Sequence, residues 1–204
     1  MKWFDNLSLR SKLIVNFVVS GGLLVAAIVF CIIQIKAVGR DTNEIATNWL
    51  PSVQVAGEIS QLRLRYRVRS LEYMLPGSDE ERGKIEKSLN ELNSELAAAL
   101  KKYELLISGD EERKIYELTV KGVDAYRSTV NEAISLAKAG KGEEAQQLRK
   151  TKWVSAANAL RDQTDALQKI NRDGSDRSSA NATKDVATAT SGGIAALAVG
   201  LVMA

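Results

Sequence analysis

The chain has 204 residues, 45% hydrophobic but only 5% aromatic, with two prolines, no histidine and a single cysteine, Cys31. That composition favours long helices and excludes histidine-based zinc and iron sites, a Ser–His–Asp triad and any intrachain disulfide. A formal net charge of +3 is too mild to point to nucleic acid.

The first element is an apolar run, "LIVNFVVSGGLLVAAIVFCIIQI", in which 23 residues from Leu13 to Ile35 carry no charge. As a helix it is roughly 35 Å long, enough to cross a hydrocarbon core. It exceeds the ~7–15 residue core of a secretory signal and leads into "KAVGRD" without a small-residue cleavage box. The run therefore predicts a transmembrane helix over 13–35. Lys2, Arg10 and Lys12 precede it, which places residues 1–12 in the cytoplasm.

Four helices are expected over 36–190. The first continues through Leu75 and breaks at "LPGS", Pro76 and Gly77. Ser78 to Glu81 reads as a capping box opening the second, whose seam is Ile85, Leu89, Leu92, Leu96, Ala99, Tyr103 and Leu106. Ser108 to Glu111 reads as another capping box. The third helix carries Tyr116, Val123, Tyr126, Val130, Ala133 and Ala137 on one seam and ends at Gly140. After "AGKGEEA" the fourth runs past Trp153, Ala157, Leu160, Thr164, Leu167 and Ile170, then through a polar stretch, Asn171 to Asp185, that fits a solvated stalk or a weak dimer seam. Short breaks between long amphipathic helices mean antiparallel neighbours. The last run, "GGIAALAVGLVMA", has 13 residues, too few to span a bilayer. Residues 191–204 are read as the start of a second transmembrane helix, cut short at Ala204. The expected architecture is all-α: an up-down antiparallel four-helix bundle between two transmembrane helices, dimeric. Residues 36–190 would lie outside the cytoplasm, and the lack of a disulfide suits a bacterial periplasm.

One stretch of the first outer helix carries a chemical signal. In "QLRLRYRVRS", Gln61 to Ser70, arginines stand at 63, 65, 67 and 69. The alternation is strand-like taken alone, but Val55, Ile59, Leu62 and Tyr73 flank it at helical steps. At about 100° per residue, Leu62, Tyr66, Arg69 and Tyr73 share one sector, and Leu64, Val68, Leu71 and Leu75 share another roughly opposite. One face is expected to pack in the bundle and the other against a partner subunit. Arg65 and Arg69 border the first face; Arg63 and Arg67 lie between the two. Acidic neighbours on this helix are sparse, Glu58 and Glu72 only. An arginine interrupting an apolar face is costly to desolvate unpaired, and its planar fork holds a carboxylate bidentately. The competing expectation is a solvated row paired with acids of neighbouring helices. Counting the helical rise from each apolar run puts Thr151 and Asn158 of the fourth helix on the same level as the arginines. Trp153 is expected there as core packing.

These features together, with "NWLPSV" at Asn48–Val53 and the basic "SLRSKL" at Ser8–Leu13, resemble the methyl-accepting chemotaxis receptors. The outer part looks like the four-helix-bundle ligand-binding domain of their aspartate and serine receptors. The resemblance implies arginines from the first helices of both subunits on a ligand's carboxylates, with polar contacts from the start of the fourth helix. The alternating arginine spacing departs from that family's five-then-four spacing. It further implies a methylated cytoplasmic module beyond Ala204 that reaches a histidine kinase and a coupling protein. The expected function is an inner-membrane chemoreceptor sensor region, a homodimer that binds a small carboxylate such as a C4-dicarboxylate. The ligand-binding candidates are Arg63, Arg65, Arg67, Arg69, Tyr66, Thr151 and Asn158. No catalytic residue, metal, cofactor or nucleic acid is expected. The alternatives are the same bundle on a histidine kinase or nucleotide cyclase, and an amino-acid-sensing receptor.

Overall fold

The computed structural model describes residues 8–75 and 77–203, so the break expected at Pro76 falls outside the described residues. The elements are α1 (Leu9–Glu44), a first π turn (Ile45–Trp49), α2 (Leu50–Tyr73), α3 (Asp79–Glu104), α4 (Asp110–Lys138), α5 (Gly142–Leu148), a second π turn (Arg149–Trp153) and α6 (Val154–Met203). There is no strand among the described residues. The chain divides into two compact units, Ala46–Ser175 and the combination of Met1–Ile45 with Asp176–Ala204.

The unit Ala46–Ser175 is the bundle, and its helices are those the apolar spacing dictates. α2 turns Val55, Ala56, Ile59, Leu62, Tyr66 and Tyr73 inward. α3 opens with the expected capping box: Ser78 Oγ accepts from the Glu81 amide at 3.2 Å, and Glu81 Oε2 accepts from the Ser78 amide at 2.8 Å. Asp79, Glu80 and Glu81 in its first turn and Lys101 and Lys102 in its last complement the helix dipole. Leu89, Leu92, Leu96, Ala99 and Tyr103 bury the α3 seam.

The capping box expected at Ser108–Glu111 does not form. Gly109 is the N-cap of α4, and Glu112, one residue later, reaches back to the Ser108 amide at 3.0 Å. Glu112 lies on the buried side of the turn and Glu111 does not, so the inward carboxylate takes the contact. α4 buries Tyr116, Thr119, Tyr126, Val130, Ala133 and Ile134. Beyond its end Gly140 has φ 74°, a left-handed conformation that closes helices and is cheap only for glycine. Trp153, Ala157, Leu160, Thr164 and Leu167 are buried as expected on the last helix. Below them Asn171 is fully buried and Ile170 only half-buried.

Aromatic rings knit the interior. Tyr66 meets Tyr126 edge-on at 5.8 Å, Tyr126 meets Trp153 at 6.3 Å, and Tyr103 stacks on Tyr116 at 5.9 Å. Gln168 Nε2 donates to Ser60 Oγ at 2.9 Å and fixes the register of α6 against α2. The Trp49 ring seats directly on Gly174, where a Cβ would come within 2.5 Å of it.

Among the described residues of the other unit, one helical segment is long and apolar enough to cross a membrane by length and composition, and none of its apolar window is buried. Phe17 is 81% exposed and Ile35 68%. The Phe30 ring lies against Gly192.

Candidate functional site

The arginine stretch lies on α2, and the helix sorts its side chains into four directions. Leu62 and Tyr66 go into the core. Leu64 and Val68 point outward at 49% and 55% exposure, an apolar face left open by the described residues. Arg65 and Arg69 flank that face on one side. Both are exposed and both are paired, Arg65 with Glu95 at 3.3 Å and Arg69 with Glu72 at 2.6 Å. A groove of about 340 Å³ runs between them over Leu64, Val68 and Leu92.

Arg63 and Arg67 lie on the α6 side, and neither makes an ion pair among the described residues. Arg63 is 6% exposed, and its Nε is buried without a hydrogen-bond partner. Burial pushes the pKa of this guanidinium down; the negative charge of Asp165 opposes that shift, and the positive charges of Arg67 and Arg161 add to it. Arg67 is half-buried. The Tyr126 hydroxyl lies close enough to both to feel their charge.

The expectation that Arg69 interrupts the inward face is corrected by the structure. Ser70, at 0% exposure, occupies that inward position, and Arg69 swings outward to Glu72. A large cation between Leu62, Tyr66 and Tyr73 would lose its hydration, whereas a hydroxyl can return its proton to the helix: Ser70 Oγ donates to the Arg67 carbonyl at 3.0 Å. Arg63, expected between the faces, is the one that is buried.

Tyr66 is a core residue. Its ring packs on Tyr126, and burial pushes its pKa up to about 12, partly offset by a hydrogen bond with Asn93. Thr151 is exposed on the second π turn, with its hydroxyl turned back to the Gln147 carbonyl at 2.8 Å. Asn158 is half-buried on α6. The Ser60–Gln168 bond lets its level be counted: one turn up α2 and one turn back along α6 sets Arg63 opposite Asp165, and a second turn sets Arg67 opposite Arg161. A further turn sets Ser70 opposite Asn158. Arg161 is held by its neighbour Asp162 at 2.7 Å.

The structure thus brings Arg63, Arg67 and Asn158 to one side of α2, and adds Tyr126, Arg161 and Asp165, which were not singled out from the sequence. Arg161 and Asp165 carried a usable signal: they stand four apart on one helical face, one turn beyond Asn158. Two guanidiniums that make no ion pair among the described residues, one of them shut away from water and answered only at a distance by Asp165, form a local positive excess that a carboxylate's paired oxygens can neutralise. Among the described residues no cluster of three acids or cysteines is placed to hold a metal ion.

No curated protein matches the chain. A family model described as a four helix bundle sensory module for signal transduction matches residues 6–186. The inward seams of four helices, the arginine-bearing second helix and this match over most of the length converge, and the chain belongs to that family of sensory modules, the chemoreceptor type of signal-transduction sensor.

Proposed function

We propose that this chain is the sensor region of a transmembrane chemoreceptor, that it binds a small organic acid, and that Arg63 and Arg67 hold the acid's carboxylate. The observation that carries the reading is the contrast within one row of four arginines. Arg65 and Arg69 have acids of their own, while Arg63 is buried with an unpartnered Nε and Arg67 has no acid. An uncompensated buried cation costs stability, and a bound anion offsets that cost. Asn158 and Arg161 face the same side from α6, and a C4-dicarboxylate would place its second carboxylate towards them.

The outward face of Leu64, Val68 and Leu75 fits a second copy of the chain, which gives a homodimer with α2 at its centre. Membrane insertion through 13–35 and 191–204, with 36–190 in the periplasm, puts the site outside the cell's inner membrane. Occupancy then biases the long helices that lead back to the membrane.

Calorimetry with a panel of small carboxylates that includes succinate tests this reading. Arg63→Met and Arg67→Met are expected to weaken binding by about 30-fold or more, the result of removing one partner of a partly desolvated charge pair. Arg65→Met and Arg69→Met are expected to bind like the parent. Equal affinity in all four, or no heat from any carboxylate, refutes the assignment.

A further inference from the structure

The outward side of α2 repeats with a seven-residue period. Leu50, Gln54, Gly57, Gln61, Leu64 and Val68 follow one another at alternating steps of four and three, and Leu71 continues the pattern. Leu50 is 54% exposed, Gln54 and Gln61 are exposed like Leu64 and Val68, and nothing lies within 4 Å of a Cβ at Gly57. The buried seam of the same helix, Val55, Ile59, Leu62 and Tyr66, faces the other way. Three heptads from Leu50 to Leu71 are thus left open by the described residues, in the spacing of a coiled coil. Val68 stands between two grooves of about 340 Å³ each, one reaching Leu92 of α3 and the other Gln146 of α5. A ridge with a hollow on either side is the relief that knobs-into-holes contact needs.

We propose that this stripe is the seam of a parallel, in-register coiled coil with α2 of a second copy, and that Gln54 and Gln61 set its register. The proposal rests on the homodimer stated above and adds its orientation and pairing. The glutamines decide the orientation. In the heptad Gln54, Gln61 and Val68 occupy a, and Leu50, Gly57, Leu64 and Leu71 occupy d. A parallel pair in register sets each a against the same a of the other copy. Each carboxamide then meets a carboxamide, which both donates and accepts. An antiparallel pair sets a against d, so each glutamine faces a leucine or a glycine and loses water without gaining a partner. Sliding the parallel pair by one heptad sets Gln61 against Val68 of the partner subunit, with the same loss. In register, Arg67 at g comes to the partner subunit's Glu72, at e five residues on, an opposite-charge pair across the seam. A carboxylate held by Arg67 competes with that contact.

Cysteine cross-linking on the full chain in detergent micelles, without any carboxylate, tests the seam. Every variant carries Cys31→Ser, so the introduced cysteine is the only one. Leu50→Cys and Val68→Cys are 18 residues apart, roughly 27 Å along the helix. In register each faces its own copy, so each is expected to form a disulfide dimer about tenfold or more faster than Leu118→Cys, a comparably exposed position on α4. An antiparallel pair brings at most one of the two positions to itself, so self-linking at only one overturns the orientation. Linking at neither above the Leu118→Cys rate overturns the seam. Val68→Glu added to Leu50→Cys sets like charges in one layer and is expected to slow linking about tenfold; an unchanged rate overturns the place of Val68 in the seam. Circular dichroism checks that the variants stay helical. Sedimentation separates this inference from the homodimer it rests on: a dimer that does not link as expected loses only the orientation, and a monomer removes both. Because no carboxylate is added, neither outcome bears on the calorimetry.

Discussion

Tyr103 donates its hydroxyl to Glu112 Oε1 at 2.7 Å, and the two residues are 0% and 3% exposed. The other carboxylate oxygen takes the Ser108 amide and hydroxyl, and Asn171 donates its amide to the Tyr103 oxygen. One buried carboxylate therefore ties α3, the turn after it, α4 and α6 together. Glu112→Ala strands the tyrosine hydroxyl and the Ser108 donors without an acceptor. It is expected to cost about 3–5 kcal/mol, against about 1–2 kcal/mol for Glu112→Gln, which keeps one acceptor. Thermal unfolding of both variants reads the difference, and similar melting temperatures for the two would show that the carboxylate is not the anchor.

The tyrosines make the bundle sensitive to alkali. All five have raised pKa values, with burial the first cause in each, and Tyr66 and Tyr73 are pushed up to about 12. In the unfolded chain they ionise near pH 10, so between about 10 and 12 the folded state holds more protons than the unfolded one. The stability this provides is complete below pH 10 and is lost as pH rises through that window. Melting temperature is expected to fall steeply from pH 10 upward, with tyrosinate absorbance appearing together with unfolding. Tyrosinate absorbance rising near pH 10 with the helix signal intact would contradict it.

Arg63 is expected to trade stability for binding. Replacing a buried, unpaired guanidinium with an apolar chain of similar length removes the desolvation cost, so Arg63→Met is expected to stabilise the anion-free protein by about 1–3 kcal/mol. The same substitution at Arg65, which is exposed and paired with Glu95, should change stability by less than about 1 kcal/mol. A loss of stability in Arg63→Met would mean that the arginine already has its counter-charge.

Gly174 and Gly57 should respond oppositely to alanine. A Cβ at Gly174 would come within 2.5 Å of the Trp49 ring, and both partners are rigid. Overpacking of this kind costs about 1–3 kcal/mol. Nothing lies within 4 Å of a Cβ at Gly57 in α2, so Gly57→Ala should stabilise by about 0.5–1 kcal/mol. Chemical unfolding of the two variants, with circular dichroism as the signal, gives the signs directly.

The seams were legible in the sequence because a regular three- and four-residue step has one reading. The Ser78 cap was legible because its partners are three residues apart and local. Arg69 and Ser70 were not told apart, since they differ by one helical step. Which of them turns inward is decided by the α4 and α6 surfaces around Tyr126 and Trp153, and the local pattern does not contain those. The same holds for Glu112, whose place on the buried side comes from Tyr103 rather than from its spacing to Ser108. In the arginine row, the charge was visible. Its division into paired and unpaired halves depends on Glu95, 30 residues away from Arg65 on another helix, and on the absence of any such acid near Arg67.

Leu148 and Trp153 are both buried although they stand five residues apart across the second π turn, and that step also bears on how related chains are to be lined up. A π turn is an inserted residue that the fold has absorbed. An alignment that demands unbroken seven-residue periodicity through this segment will place every position after Trp153 one residue out of phase. A homologue shorter by one residue here would instead carry a plain α turn and keep the same core seam, so single-residue gaps at 149–153 preserve the match and gaps a few residues later destroy it.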